Sequence, residues 1–89
     1  MSEIRVIRVD EIRSRVTVTE GQTETVHDVT LAEKDRQRYG GDVASERLIQ
    51  ASFEFLLERE SKESILPSFA IPAIERYFPE YPAVIRRRL

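Results

Sequence analysis

The stretch VASERLIQASFEFLLERE, residues 43–60, decides the fold of this chain of 89 residues. On a helix with about 100° between successive residues, its polar side chains fall on one narrow stripe, and apolar side chains occupy most of the remaining circumference. The polar stripe consists of Arg47, Gln50, Glu54 and Glu58. Because the apolar stripe of an ordinary surface helix is only a little wider than about 100°, this main helix must be covered from two sides. We expect a sheet on one side, and the C-terminal segment or a second subunit on the other.

The first 30 residues have the patterns of β-strands. Residues 4–9, 13–19 and 23–29 are rich in β-branched side chains, and the second of these stretches alternates apolar and polar residues. Gly21 can adopt the positive φ of a tight turn, so the second and third stretches are expected to form a hairpin. Because a lone hairpin is barely stable in water, it must pack on the main helix. The sequence therefore predicts an α+β fold with a small antiparallel sheet.

A short polar helix is expected over residues 31–40, between the strands and the main helix. Residues 30–33, TLAE, match a capping box, in which a threonine hydroxyl and a glutamate carboxylate satisfy backbone N–H groups at the start of a helix. The two glycines that follow are expected to end this helix. Either Asp42 or Ser45 is then expected to cap the main helix.

Prolines divide the last third of the chain, residues 61–89, into short helices. A helical turn is expected over residues 61–66, a second helix over 72–78 and a last helix from Pro82. These helices are too short to be stable alone, so their apolar side chains must be buried against the main helix, and residues 1–89 form a single domain. The side chains expected to face inward from the second helix are Ile74, Tyr77 and Phe78.

The composition excludes several kinds of chemistry. Without cysteine the chain can hold no disulfide, thiolate nucleophile or iron–sulfur cluster, and its single histidine, His27, rules out an all-histidine metal site. The longest apolar runs are a few residues long, whereas a membrane span needs about 20. The N-terminus lacks the pattern of a signal peptide. We therefore expect a cytoplasmic protein with no membrane partner, no metal and no cofactor.

The candidate catalytic residues favour structural roles. His27 lies beside Asp28, and neighbouring residues in a strand point to opposite faces. The aspartate is therefore poorly placed to orient the histidine as a base, and we interpret His27 as a partly exposed strand residue. The acidic run within residues 54–63 is interpreted as a solvated face rather than a metal site. The chain also lacks a glycine-rich phosphate loop and a GxSxG motif, so we do not expect an enzyme.

The C-terminal third carries the candidate partner surface. Aromatic residues at helical spacing usually belong to the core, but the exposed part of such a cluster, with tyrosine hydroxyls at its rim, can bind a partner. The three terminal arginines could contact phosphate or an acidic partner, or could favour the negative end of the last helix dipole. The predicted partner surface consists of Phe69, Tyr77, Phe78, Tyr81, Arg86, Arg87 and Arg88.

Three short segments, FEFLLERE at residues 53–60, ESIL at 63–66 and YFPEY at 77–81, resemble a small family of uncharacterised bacterial proteins. The likeness covers roughly the C-terminal half of the chain. It implies no activity, ligand or cofactor, and it supports a bacterial cytoplasmic setting.

A second resemblance concerns the order of strand, short helix, glycine turn and long helix, which is similar to that of ribbon-helix-helix DNA-binding dimers. The strand that would enter the major groove departs from their pattern, because Glu24 and Asp28 would repel phosphates and no Arg or Lys is present to read guanine. The net charge of −2 also shows no basic excess. A basic surface could be supplied instead by Arg5, Arg8, Arg13 and Arg15.

We therefore expect a non-catalytic protein-interaction or regulatory module that binds another protein. A ribbon-helix-helix-like regulator that binds nucleic acid is the alternative, and a small enzyme or ligand-binding subunit is third. Because a small domain buries a limited share of its surface and the main helix is apolar nearly all round, a homodimer is also expected.

Overall fold

Three consecutive β-strands form an antiparallel meander at the start of the chain. A computed structural model describes residues 2–89 and places these strands at Ser2–Arg8 (β1), Arg13–Glu20 (β2) and Thr23–Thr30 (β3). Gly21 has a φ of 60° and opens the two-residue turn between β2 and β3. Glycine adopts this conformation without a steric cost because it has no Cβ. The three predicted strands are confirmed.

A fourth strand makes the sheet mixed, so the expectation of a purely antiparallel sheet is wrong. β4 (Ser68–Ala70) pairs parallel to β3, and the strand order is β1-β2-β3-β4. The Asp28 N–H donates to the Pro67 carbonyl at 2.8 Å, and the Ile71 N–H donates to the Thr30 carbonyl at 3.0 Å. Three residues are too few for an alternating pattern to be recognised, which is why the sequence does not predict β4.

Four α-helices complete the fold. They are α1 (Glu33–Gly40), α2 (Ser45–Leu57), α3 (Pro72–Tyr77) and α4 (Tyr81–Arg88). α2 is the predicted main helix, but it has 13 residues and does not fill the expected span of 43–60, so the fold has no single long central helix. The helical turn expected over residues 61–66 is a shorter 3-10 turn at Lys62–Ser64.

Neither predicted helix cap is present. α1 begins at Glu33 and α2 at Ser45, both without a side-chain capping hydrogen bond, so the capping roles expected of Thr30 and of Asp42 or Ser45 are wrong. Thr30 is the last residue of β3, and its carbonyl bonds to the backbone that follows β4. The Glu33 carboxylate forms an ion pair with Arg36 at 2.6 Å instead of reaching back along the chain. Thr30 therefore belongs to the strand pairing of β3 and does not cap α1.

α2 is covered on both sides within one chain, as its apolar pattern predicts. Phe53, which is fully buried, lies against the sheet with 5.4 Å between its ring centroid and that of His27. Phe55, equally buried, faces α4 and packs against Tyr81 with 5.3 Å between ring centroids. Glu54, between the two, is exposed on the polar stripe. Because the C-terminal helices cover the second side, the burial of α2 gives no argument for a second subunit.

The inward orientation expected for α3 is right for one residue and wrong for another. Ile74 is buried and Phe78 is half-buried, but Tyr77 is 68% exposed. α3 has six residues, which is less than two helical turns. Ile74 is its one buried residue, and Tyr77, at its last position, lies outside the core.

Candidate functional site

An open groove with a volume of about 300 Å³ lies where the end of α2, the 3-10 turn, β4 and α3 meet. Buried and half-buried apolar side chains form its floor and walls, whereas Leu66 and Tyr77 are exposed at its margin. Its polar lining residues are Glu60 and Ser64. The apolar side chains of the floor and walls are Leu56, Ile65, Phe69, Ala73, Ile74 and Phe78.

The sheet holds one wall of the groove in place. Phe69 lies in β4, opposite Val29 of β3, and its ring packs against Phe53 with 5.9 Å between centroids. This ring is therefore held by strand pairing on one side and by α2 on the other. Because the backbone of β4 is bonded to β3, the groove has a wall of defined position rather than a loose loop.

His27 anchors the segment that leads into β4, and it is not the partly exposed residue expected. Its side chain is only 2% exposed. Its Nδ1 lies 2.8 Å from the Leu66 carbonyl oxygen, and its Nε2 lies 2.8 Å from the Thr25 hydroxyl oxygen. Because a carbonyl only accepts, Nδ1 donates, and in the neutral ring Nε2 then accepts from Thr25. Residue 66 is remote in sequence, so no local pattern could show this contact.

Lys62 is a buried charged residue that the sequence analysis missed. Its ammonium group is paired with the Glu63 carboxylate and lies 3.8 Å from a carboxylate oxygen of Glu20. The Lys62 hydrogen bond lowers the pKa of the Glu63 carboxyl. Glu20 also accepts a hydrogen bond from the Ser2 hydroxyl at 2.7 Å. These contacts join the 3-10 turn beside the groove to one end of the sheet.

Glu60, which lines the groove, has no ion-pair partner for its carboxylate among residues 2–89, whereas Glu58 and Glu63 on either side of it are paired. Glu58 pairs with Arg88 and Arg59, and the hydrogen bond from Arg88 lowers the pKa of the Glu58 carboxyl. Glu63 pairs with Lys62. The groove thus carries one carboxylate that is available to a basic group from outside.

The structure brings together only part of the predicted partner surface. Phe69, Tyr77 and Phe78 all line the groove. Tyr81 does not, because it is fully buried and its hydroxyl lies 2.6 Å from the Ser52 hydroxyl oxygen. Burial raises the pKa of Tyr81 far above its usual range. Its place at a partner surface is therefore wrong, since α4 turns this ring toward α2.

The three terminal arginines lie in the last turn of α4 and do not line the groove. Arg86 donates to the Arg38 carbonyl at 3.1 Å, and Arg88 pairs with the Glu58 carboxylate. Arg87 is exposed. Their position at the negative end of the helix dipole agrees with the structural interpretation of this cluster.

The ribbon-helix-helix arrangement is not present in the part of the chain that the structure describes. Ribbons of this class are formed by one strand from each of two subunits, but here β3 already pairs with β2 on one side and β4 on the other. Each of the four N-terminal arginines also lies within 4.0 Å of a carboxylate oxygen. These pairs are Arg5–Glu3, Arg8–Glu46, Arg13–Asp10 and Arg15–Asp28.

Residues 2–89 contain no group of three or more acidic or histidine side chains placed to bind a metal ion. Over the same residues, no helix combines the length and the apolar character needed to cross a bilayer. Comparison of the chain with models of protein families, with curated proteins and with solved structures finds no match. The likeness to a small bacterial family therefore stays a prediction.

Proposed function

We propose that this chain is a non-catalytic protein-interaction module whose groove binds an apolar segment of a partner protein. The observation that carries the proposal is the exposure of Tyr77, at 68%, and Leu66, at 45%, beside a floor of buried apolar side chains. Exposed apolar side chains grouped around a groove favour a partner-binding site, whereas single scattered ones are ordinary on protein surfaces.

The size and lining of the groove favour a peptide segment as the occupant. A volume of about 300 Å³ lies at the lower end of the range for small-molecule pockets, roughly 300–1,000 Å³. The groove is open at its margin and nearly uniform in its apolar lining, whereas a metabolite site needs several convergent polar groups. An amphipathic helix that inserts two apolar side chains would fit this shape.

The unpaired carboxylate of Glu60 adds a charge requirement. A lysine or arginine next to the apolar anchors of the partner could pair with Glu60 at the groove. An acidic residue at the same place would be repelled. The proposed occupant is therefore an apolar segment that carries a basic residue, and not an acidic one.

The proposal of a module without catalysis is supported by how the reactive side chains are used. Both ring nitrogens of His27 are hydrogen-bonded inside the domain. The Ser64 hydroxyl, which lines the groove, lies 3.1 Å from the Ser61 hydroxyl and has no histidine beside it. A nucleophile needs a base within hydrogen-bond reach, and this groove pairs no such groups.

Selection of displayed helical peptides on the immobilised protein tests the proposal. Selected peptides should carry apolar residues at helical spacing together with lysine or arginine, and Glu60→Gln should weaken the preference for the basic residue. Tyr77→Lys should abolish binding. The matched control is Val26→Lys, which changes another exposed apolar residue, 47% exposed, on the sheet. Selected peptides without a shared pattern, or peptide binding by Tyr77→Lys equal to that of the wild type, would overturn the proposal. Preferential capture of apolar small molecules would instead favour a ligand-binding subunit.

We also propose the cytoplasm of a bacterium as the location of the protein. The proposal is supported by the lack of cysteine, which removes any dependence on an oxidising compartment, and by the resemblance of the C-terminal half. Fractionation of producing cells, with an antibody against the chain, would test it. Recovery in the membrane or secreted fraction would contradict it.

A further inference from the structure

The outer edge of β1 exposes unpaired backbone groups, because β1 is the first strand of the sheet. Along a strand, the backbone N–H and carbonyl groups of successive residues point alternately to the two neighbouring strands. The Asp28 N–H points toward β4, where it donates to Pro67, so the backbone groups of Thr25, three residues earlier, point toward β2. Thr25 is opposite Val18, and Val18 is opposite Ile4. Residues directly opposite in an antiparallel pair either bond to each other or both point away from each other. The backbone groups of Val18 therefore bond to Thr25 in β3, and the backbone groups of Ile4 point away from β2. The N–H and carbonyl groups of Ser2, Ile4 and Val6 thus face the open edge.

We propose that the edge of β1 pairs with β1 of a second copy of this chain, antiparallel, with Ile4 opposite Ile4 at the two-fold axis. Two four-stranded sheets then become one continuous sheet. In this register, Ser2 faces Val6 of the second copy, so the edge groups of each chain meet those of the other. Antiparallel pairing across an open edge satisfies the backbone donors and acceptors directly.

Charge complementarity favours this register over the two neighbouring registers. With Ile4 on the axis, Glu3 lies opposite Arg5 of the second copy, and symmetry repeats the pair. With Arg5 on the axis two arginines would face each other, and with Glu3 on the axis two glutamates would do so. Registers that place an edge-facing residue opposite a residue bonded to β2 cannot form the hydrogen bonds. Opposite charges directly across two strands stabilise pairing, and like charges destabilise it.

The single chain already holds these side chains in a suitable position. Glu3 and Arg5 form an ion pair of 3.5 Å within one chain, with 72% and 68% of the side chains exposed. An exposed pair of this kind contributes little, so exchanging it for pairs between two chains costs little. Ile4 and Val6, on the opposite face of β1, remain partly exposed. The pairing would bury them further against each other.

Sedimentation equilibrium at protein concentrations up to about 1 mM tests this proposal. The wild type should show a monomer–dimer equilibrium. Glu3→Arg and Arg5→Glu each place like charges opposite one another twice per dimer, so each should weaken association about tenfold or more. An equimolar mixture of the two variants should restore it, because both facing pairs are then of opposite charge. The double variant should restore it for the same reason.

The matched control is Glu24→Arg, which makes the same change of charge on the same exposed face of the sheet, in β3. It should leave the dimer unchanged, and far-UV circular dichroism should show the same fold for every variant. A strictly monomeric wild type, undiminished association of both single variants, or failure of their mixture to associate would overturn the proposal. So would loss of the dimer in Tyr77→Lys, which alters only the groove. The proposal is independent of the groove, because the two tests use different residues.

Discussion

Replacing Phe53 by alanine removes the ring that α2 packs against β3 and β4 of the sheet. The ring is fully buried, and its centroid lies 5.4 Å from that of His27 and 5.9 Å from that of Phe69. A phenylalanine that buries roughly 150 Å² contributes about 4 kcal/mol at about 25 cal/mol per Å². We therefore predict a loss of about 3–5 kcal/mol in the free energy of unfolding, the range measured for such truncations. This is a large share of the roughly 5–15 kcal/mol expected of a small domain.

Urea unfolding followed by far-UV circular dichroism measures this loss. Phe53→Leu is the graded control, because it keeps most of the volume, and we expect it to cost about 1–2 kcal/mol. Equal slopes of free energy against urea would show that the variants unfold to the same state. A loss below about 1 kcal/mol for Phe53→Ala, at an unchanged slope, would refute the burial of this face of α2.

Three further predictions concern the polar stripe, the tyrosines and nucleic acid. Glu54→Gln should change the free energy of unfolding by less than about 0.5 kcal/mol, as for exposed residues, and a larger loss in urea unfolding would mean that this carboxylate has a buried partner. Burial, with the hydrogen bond to Glu75, raises the pKa of Tyr39 to about 12 from 10.0. As the pH rises from about 10 to about 12, the tyrosine ionises in the unfolded chain before it does so in the folded one, so the free energy of unfolding should fall. Tyr39→Phe should make the accompanying fall in the urea midpoint less steep. An equal fall in both proteins would contradict this prediction. On immobilised duplex DNA at low salt the protein should elute unretained, and retention that weakens steeply with salt would instead support the nucleic-acid alternative.

Periodicity predicts the faces of the sheet and of α2 correctly. The alternation around Val16 and Val18 places both valines in the core, and the narrow polar stripe leaves Phe53 and Phe55 to be buried on two sides. These features are local, because the direction of a side chain is set by its own strand or helix. The sequence also points to Phe69, Tyr77 and Phe78 as part of one site, which the groove contains.

The features that the sequence leaves undetermined all depend on contacts between remote segments. β4 exists because residues 68–70 pair with the end of β3, and a three-residue segment carries no period of its own. Buried His27 is hydrogen-bonded to the Leu66 carbonyl and packs against Phe53 of α2. Buried Tyr81 is hydrogen-bonded to Ser52 of α2. A pattern along the chain predicts which faces of a strand or helix are apolar, but it does not predict which segment will cover those faces. The sequence alone therefore determined the apolar faces, and only the tertiary structure decided their neighbours, the groove and the open edge of the sheet.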